Sequence, residues 1–144
     1  MLIGEYEHTI DAKKRMALPA KFRKDLGSAV VVTRGLDSCL FVYPLKEWER
    51  VAEALSNLPT GQAANRGFVR LFLAGAAHTE LDALGRILLP EYLKTYAGLS
   101  DRAVVVGVYK RLELWDPKRW ETYRNETERQ ADALAERLGE IGAY

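Results

Sequence analysis

From residue 6 onward the chain alternates: Tyr6, His8 and Ile10 share one parity and Glu7, Thr9 and Asp11 the other. After a short polar break, Met16 and Leu18 resume the apolar parity, with Arg15 and Ala17 opposite. A period of two belongs to a strand with one buried face. The stretch therefore predicts a strand, a tight turn and a return strand. Pro19 then stands where prolines favour the first residue of a helix, and Gly27 where a short helix would end. The apolar run AVVV at 29–32, a further strand over 40–43 and a helix opening near Pro44 follow. The predicted order is strand, strand, short helix, strand, strand, helix.

That order is written twice. DALGRILLP at 82–90 repeats DAKKRMALP at 11–19, 71 positions further on (82 − 11). AVVV returns at 103–106 with three extra residues before it, followed by a strand at 112–115 and a helix opening at Asp116 and Pro117. Aligning LFVYPLKEWE with LELWDPKRWE sets Trp48 opposite Trp120 and Glu49 opposite Glu121. A repeated unit of about fifty residues buries its apolar face against its neighbour, and two copies suggest a pseudo-twofold pair rather than a solenoid.

Between the units, residues 56–67 carry Pro, Gly, Asn and Ser without apolar periodicity and read as a linker. Residues 68–77 read as a largely buried helix. Beyond Pro117, Trp120, Tyr123, Thr127, Ala131, Leu134 and Leu138 recur at helical spacing, a stripe for packing on the chain's own barrel or on a neighbouring subunit. The class is α+β and β-rich. Units span 5–50 and 77–124, with a linker and central helix over 51–76 and a helical tail over 125–144.

The repeated phrase also predicts its own turn. If residues 12–14 form a three-residue loop, the third position favours a left-handed backbone; the second copy puts Gly85 there, and Lys14 must tolerate the strain. Asp11 then faces Arg15, and Asp82 faces Arg86, on the side away from Ile10 and Met16. A cross-strand charge pair contributes only about 0.2–1 kcal/mol, too little to account for its repetition. An aspartate can accept turn amides and fix the bend, which leaves the arginines aimed outward.

Charge sharpens this picture. The net charge of +1 is weak for a nucleic-acid binder, yet residues 11–24 hold Lys13, Lys14, Arg15, Lys21, Arg23 and Lys24 against Asp11 alone. Enzyme chemistry finds no foothold: there is no nucleophile with its base, no metal cluster, and GQAANRG lacks the Gly-Lys-Ser/Thr ending of a phosphate loop. His8, facing inward, and His78, facing the other way, read as unrelated strand histidines, and Cys39 as a small buried hydrophobe. No catalytic residue, metal, cofactor or small-molecule substrate is expected. A lone cysteine, no signal-like N-terminus and apolar runs as short as LFLAGAA predict a cytoplasmic chain with no membrane partner.

The opening GEYEHTIDAKKRMALP, the doubled Asp-x-x-x-Arg, the central VRLFLAGAAHTELDALGRILLP and the length together resemble the MraZ family, bacterial regulators built from two tandem AbrB-like swapped-hairpin units. The resemblance implies β-barrel repeats forming an intrachain pseudo-dimer with flanking helices. It also implies a nucleoid-associated transcriptional regulator, often a repressor, acting on the promoter of the division and cell-wall gene cluster and assembling into homo-oligomeric rings on repeated promoter DNA. By position, Arg15 and Arg86 are the DNA readers and Asp11 and Asp82 support them. Lys13 and Lys14 add point charges that the second copy lacks. Physics runs the same way, because arginine's planar fork fits guanine's major-groove edge, a two-stranded ribbon enters that groove, and a ring multiplies weak heads. The alternative is an antitoxin-like or scaffold module of the same fold whose tail grips a protein partner.

Overall fold

A computed structural model describes residues 1–143. The first copy folds as β1 (Leu2–Thr9), β2 (Arg15–Ala17), a 3-10 turn over Ala20–Phe22 continuing into α1 (Arg23–Leu26), β3 (Ala29–Arg34), β4 (Leu40–Pro44) and α2 (Leu45–Ser56). After α3 (Ala63–Ala74), the second runs β5 (Ala77–Glu80), β6 (Arg86–Leu88), α4 (Glu91–Ala97), β7 (Arg102–Tyr109), β8 (Leu112–Trp115) and α5 (Pro117–Arg129), with α6 (Ala131–Glu140) behind it. The doubled order of elements matches the doubled sequence. Pro19 and Pro90 cap their helical segments from just outside rather than forming the first turn.

The strands pair across the copies. A six-stranded antiparallel sheet runs β1-β7-β8-β4-β3-β5, and β2 and β6 form a separate ribbon. Thus β1 of the first copy lies on β7 of the second, β5 of the second on β3 of the first, and the two short return strands on each other. Adjacent strands within a copy, β3 with β4 and β7 with β8, meet at the β4–β8 seam. The predicted closed barrel is not what forms. The sheet is open, with β1 and β5 at its edges, because β2 and β6 turn to each other and leave only the Ile10–Met16 bridge joining β2 to the end of β1.

Pairing register also corrects the alignment of the copies. Glu80 lies opposite Ala29 and Thr9 opposite Arg102, so the spacing grows from 71 (80 − 9) to 73 (102 − 29), two extra residues rather than three. Val30 fills the place of Ala103, and both are fully buried. A run of similar apolar residues slides against itself by one position without changing the letters; the ladder does not.

The sheet is covered on both faces. Met16, Leu18, Ile87, Leu89, Val30, Val32, Leu40, Val42, Leu112 and Leu114 belong to one core beneath the ribbon. Phe41, Tyr43, Trp115 and Phe72 form a second core on the opposite face, with Trp48 and Trp120 packed against it. Strand parity divides the two, Leu40 and Val42 facing one way and Phe41 and Tyr43 the other. Phe72 binds α3 to this face by stacking on Trp48, while the Thr33 hydroxyl donates to the Phe72 carbonyl at 2.6 Å.

Two helical predictions need amending. α3 starts at Ala63, inside the stretch read as linker, and buries only Phe72, leaving Phe68 and Leu71 exposed. The tail is not one helix: it breaks at Gln130, whose ψ of 4° leaves the helical range. Trp120 and Tyr123 pack on Trp115, and α6 buries no residue. Among the described residues no helix is long and apolar enough to cross a membrane.

Candidate nucleic-acid interface

Each Asp-x-x-x-Arg phrase folds into the same closed turn. Asp11 Oδ1 accepts from the amides of Lys13 at 2.9 Å and Arg15 at 3.0 Å, and its Oδ2 accepts from Arg15 Nε at 3.0 Å. Asp82 does the same with the amides of Leu84 at 3.0 Å and Arg86 at 2.9 Å and with Arg86 Nε at 2.7 Å. The backbone closes beneath them: the Lys14 amide donates to the Asp11 carbonyl, and the Gly85 amide to the Asp82 carbonyl. Hydrogen bonding to the charged form holds both carboxyls below the usual carboxylate range, the arginine amide contributing most. The third loop positions are left-handed as predicted, φ 63° at Lys14 and 74° at Gly85.

The two turns are locked to each other reciprocally. The Leu89 amide donates to the Lys14 carbonyl at 2.8 Å, and the Leu18 amide to the Gly85 carbonyl at 3.0 Å. Donors and acceptors alike stand 71 residues apart (89 − 18 and 85 − 14), so one contact is the image of the other. In the ribbon Arg15 lies opposite Leu88, Met16 opposite Ile87 and Ala17 opposite Arg86. Met16 and Ile87 vanish into the core. Arg15 and Arg86 share the other face, where Arg86 Nη1 comes within 4.0 Å of Asp11 Oδ2, the carboxylate of the opposite copy. Their side chains are 35% and 27% exposed. The aspartates take the Nε edge of each guanidinium, and among the described residues no hydrogen bond occupies the Nη edge.

The basic cluster of residues 11–24 does not act as one patch. Lys13 projects from the first loop into solvent. Lys14 Nζ is 3.2 Å from Glu91 Oε2 on α4, so part of its charge is answered locally. Lys21 donates to the Tyr6 hydroxyl at 2.7 Å and lies over the Tyr6 and Phe22 rings, which commits it to packing.

Arg23 is the residue that sequence reasoning did not single out. It crosses from α1 of the first copy to the second copy's loop, where a methyl on Gly85 would land on its guanidinium. Its Nη2 donates to the Leu18 carbonyl at 3.3 Å, and its buried Nε has no partner. The second loop, basic-poor in its own sequence, thus borrows a cation from the first copy. The exchange of Lys14 for Gly85, one of four differences between the two phrases, does not by itself point to Arg23. The histidines part as expected: His78 is exposed on β5, and half-buried His8 has its pKa lowered by burial and by the Arg23 charge. Cys39 is buried, its thiol pushed far up by desolvation.

Residues 1–71 and again 72–140 match a family described as "MraZ protein, putative antitoxin-like". The chain belongs to the MraZ family. The boundary between the two MraZ matches falls inside α3, between Leu71 and Phe72. A protein of Moorella thermoacetica named Transcriptional regulator MraZ is 51% identical over 138 residues, 96% of each chain. Proteins of the same name from Pediococcus pentosaceus and Acetivibrio thermocellus are 49% and 44% identical over 142 residues, 99% of each chain.

Proposed function

We propose that this chain is a sequence-specific, double-stranded-DNA-binding transcriptional regulator with the β2–β6 ribbon as its reading head. One observation carries the reading: two arginines distant in sequence stand on one outer ribbon face, each gripped at Nε by its own aspartate. The relatives' shared name, Transcriptional regulator MraZ, supports it. A ribbon of this width fits the major groove, where an arginine's Nη edge can pair bidentately with guanine O6 and N7. Holding Nε in advance removes rotamer freedom that binding would otherwise have to freeze. Lys13 and Lys14 supply sequence-independent attraction to phosphates.

The finer reading is a cytoplasmic, nucleoid-associated repressor of the division and cell-wall gene cluster, its own promoter included, working as a homo-oligomeric ring. In it the units at 5–50 and 77–124 form an AbrB-like swapped-hairpin pseudo-dimer; the reciprocal hydrogen bonds of Lys14 and Gly85 support that description. Multivalency reconciles a net charge of +1 with useful affinity.

The test is the Arg15→Ala, Arg86→Ala double variant, titrated with the DNA upstream of the chain's own gene at fixed salt. Folding should persist, since exposed ion pairs are worth about 0–1 kcal/mol, while promoter affinity falls at least tenfold and affinity for random DNA changes less. Unchanged promoter binding by a folded double variant overturns the reading and brings forward the partner-gripping alternative, for which the exposed helix α6 is the available surface.

A further inference from the structure

The two edges of the ribbon differ chemically where the repeat itself breaks. Across Arg15 the first copy presents Lys13 and Ala17; the positions 71 residues on, flanking Arg86, are Leu84 and Leu88. Leu84 is 62% exposed at the tip of its turn, and Leu88 is 53% exposed on the same strand face as Arg86, directly opposite Arg15. The leucines of the core beneath, Leu18 and Leu89 among them, are fully buried. A single exposed leucine needs no explanation. Two of them bracketing an outward arginine, where the sister copy carries a charge and a methyl, do.

We infer that the second copy's edge reads thymine: Leu84 and Leu88 pack on the C5-methyl groups of base pairs neighbouring the guanine held by Arg86. This inference rests on the DNA-binding proposal above. The C5-methyl is the apolar feature that thymine presents in the major groove, and the flanking arginines and Asp-held turns bring the leucines to that edge without further movement. The heads are therefore unequal. The first copy's edge works by charge and is tolerant of neighbouring sequence; the second's works by apolar contact and prefers thymine.

The experiment compares the parent, Leu84→Ala, Leu88→Ala and Leu84→Ala/Leu88→Ala proteins on the DNA upstream of the chain's own gene, amplified with either dTTP or dUTP. Uracil keeps every hydrogen-bonding group of thymine and lacks only the methyl. Each methyl buried against leucine corresponds to about a 4-fold change in affinity, so the parent should bind thymine-containing DNA roughly 4- to 15-fold more tightly than its uracil counterpart. The double leucine variant should lose that preference while keeping the parent's salt slope, because no phosphate contact is removed. Leu84→Lys, which restores the first copy's chemistry, should steepen the slope and weaken the thymine preference. Equal thymine-to-uracil ratios in parent and double variant overturn the inference alone. A change in sedimentation with unchanged DNA binding overturns it too, assigning the leucines to contacts between copies. A parent that fails to bind the thymine-containing promoter removes the DNA-binding proposal itself.

Discussion

Lys14 keeps a backbone conformation that its counterpart fills with glycine. A left-handed residue with a β-carbon costs on the order of 1–2 kcal/mol, and Gly85 shows that the fold accepts the cheaper residue at the equivalent place. Lys14→Gly should therefore leave stability unchanged or raise it by up to about 1 kcal/mol, the strain relief being partly offset by glycine's larger unfolded-state entropy and by the lost Glu91 ion pair. If Lys14 meets a phosphate, the same variant should flatten the log–log salt dependence of DNA binding by about 0.9. Chemical denaturation and salt titration check the two halves separately. His8 gives a pH signature. Its pKa is lowered in the fold, first by burial and then by Arg23, so the unfolded chain takes up its proton first. Stability should fall as pH drops below about 6.5, level off beneath the lowered folded value, and respond less in His8→Gln; melting temperatures from pH 8 to 5 measure this. The aspartate turns were legible in the sequence because all their hydrogen-bond partners lie within four residues. Arg23 was not, because its target is 62 residues away (85 − 23) and glycine leaves no pattern of its own.

At the scale of elements, alternation foretold β1 and β2, the apolar run AVVV foretold β3, whose residues are buried from Ala29 to Thr33, and the repeat carried the same order into the second copy. Helix α3 was harder to read. Its apolar residues suggested a buried helix, yet only Phe72 is fully buried, against Trp48 and Phe68 at ring-centroid distances of 5.5 Å each. Sequence carries the moment of a helix but not the area that its neighbours offer. Phe72→Ala should accordingly cost about 3–5 kcal/mol, whereas Leu71→Ala, one residue away and exposed, should stay within about 0.5 kcal/mol; urea denaturation of the pair distinguishes them. α5 is fastened differently, through Glu5, which accepts from Trp120 Nε1 at 3.2 Å and from Arg124 Nη1 at 2.9 Å. That junction joins the first strand to the last third of the chain, and no local pattern announces it.

For the whole molecule, duplication could be read from the letters, while the exchange of strands between duplicates emerged only from pairing. β1 needs β7 and β5 needs β3, so neither copy owns a complete sheet. Cutting the connection at 57–62 should yield two pieces, 1–59 and 60–144, that lack cooperative melting when purified singly and recover it on mixing. A cooperative, monomeric melt from residues 1–59 alone would show the copies to be independent. The open barrel was unreadable for the same reason: closure depends on whether β2 turns to β1 or to β6, and three-residue strands of similar composition suit either partner.

The pairing of β1 with β7 also sets a clock on synthesis. Thr9 and Arg102 are ladder partners separated by 93 residues (102 − 9), which at translation rates of about 5–20 residues per second means roughly 5–20 s between the birth of one and the other. Throughout that interval the first strand leaves the ribosome with no mate on its own chain. On a messenger carrying several ribosomes, the nearest unoccupied β7 can belong to the polypeptide ahead. Speed of elongation through the second copy thus helps decide whether a newborn strand closes on its own molecule or on its neighbour.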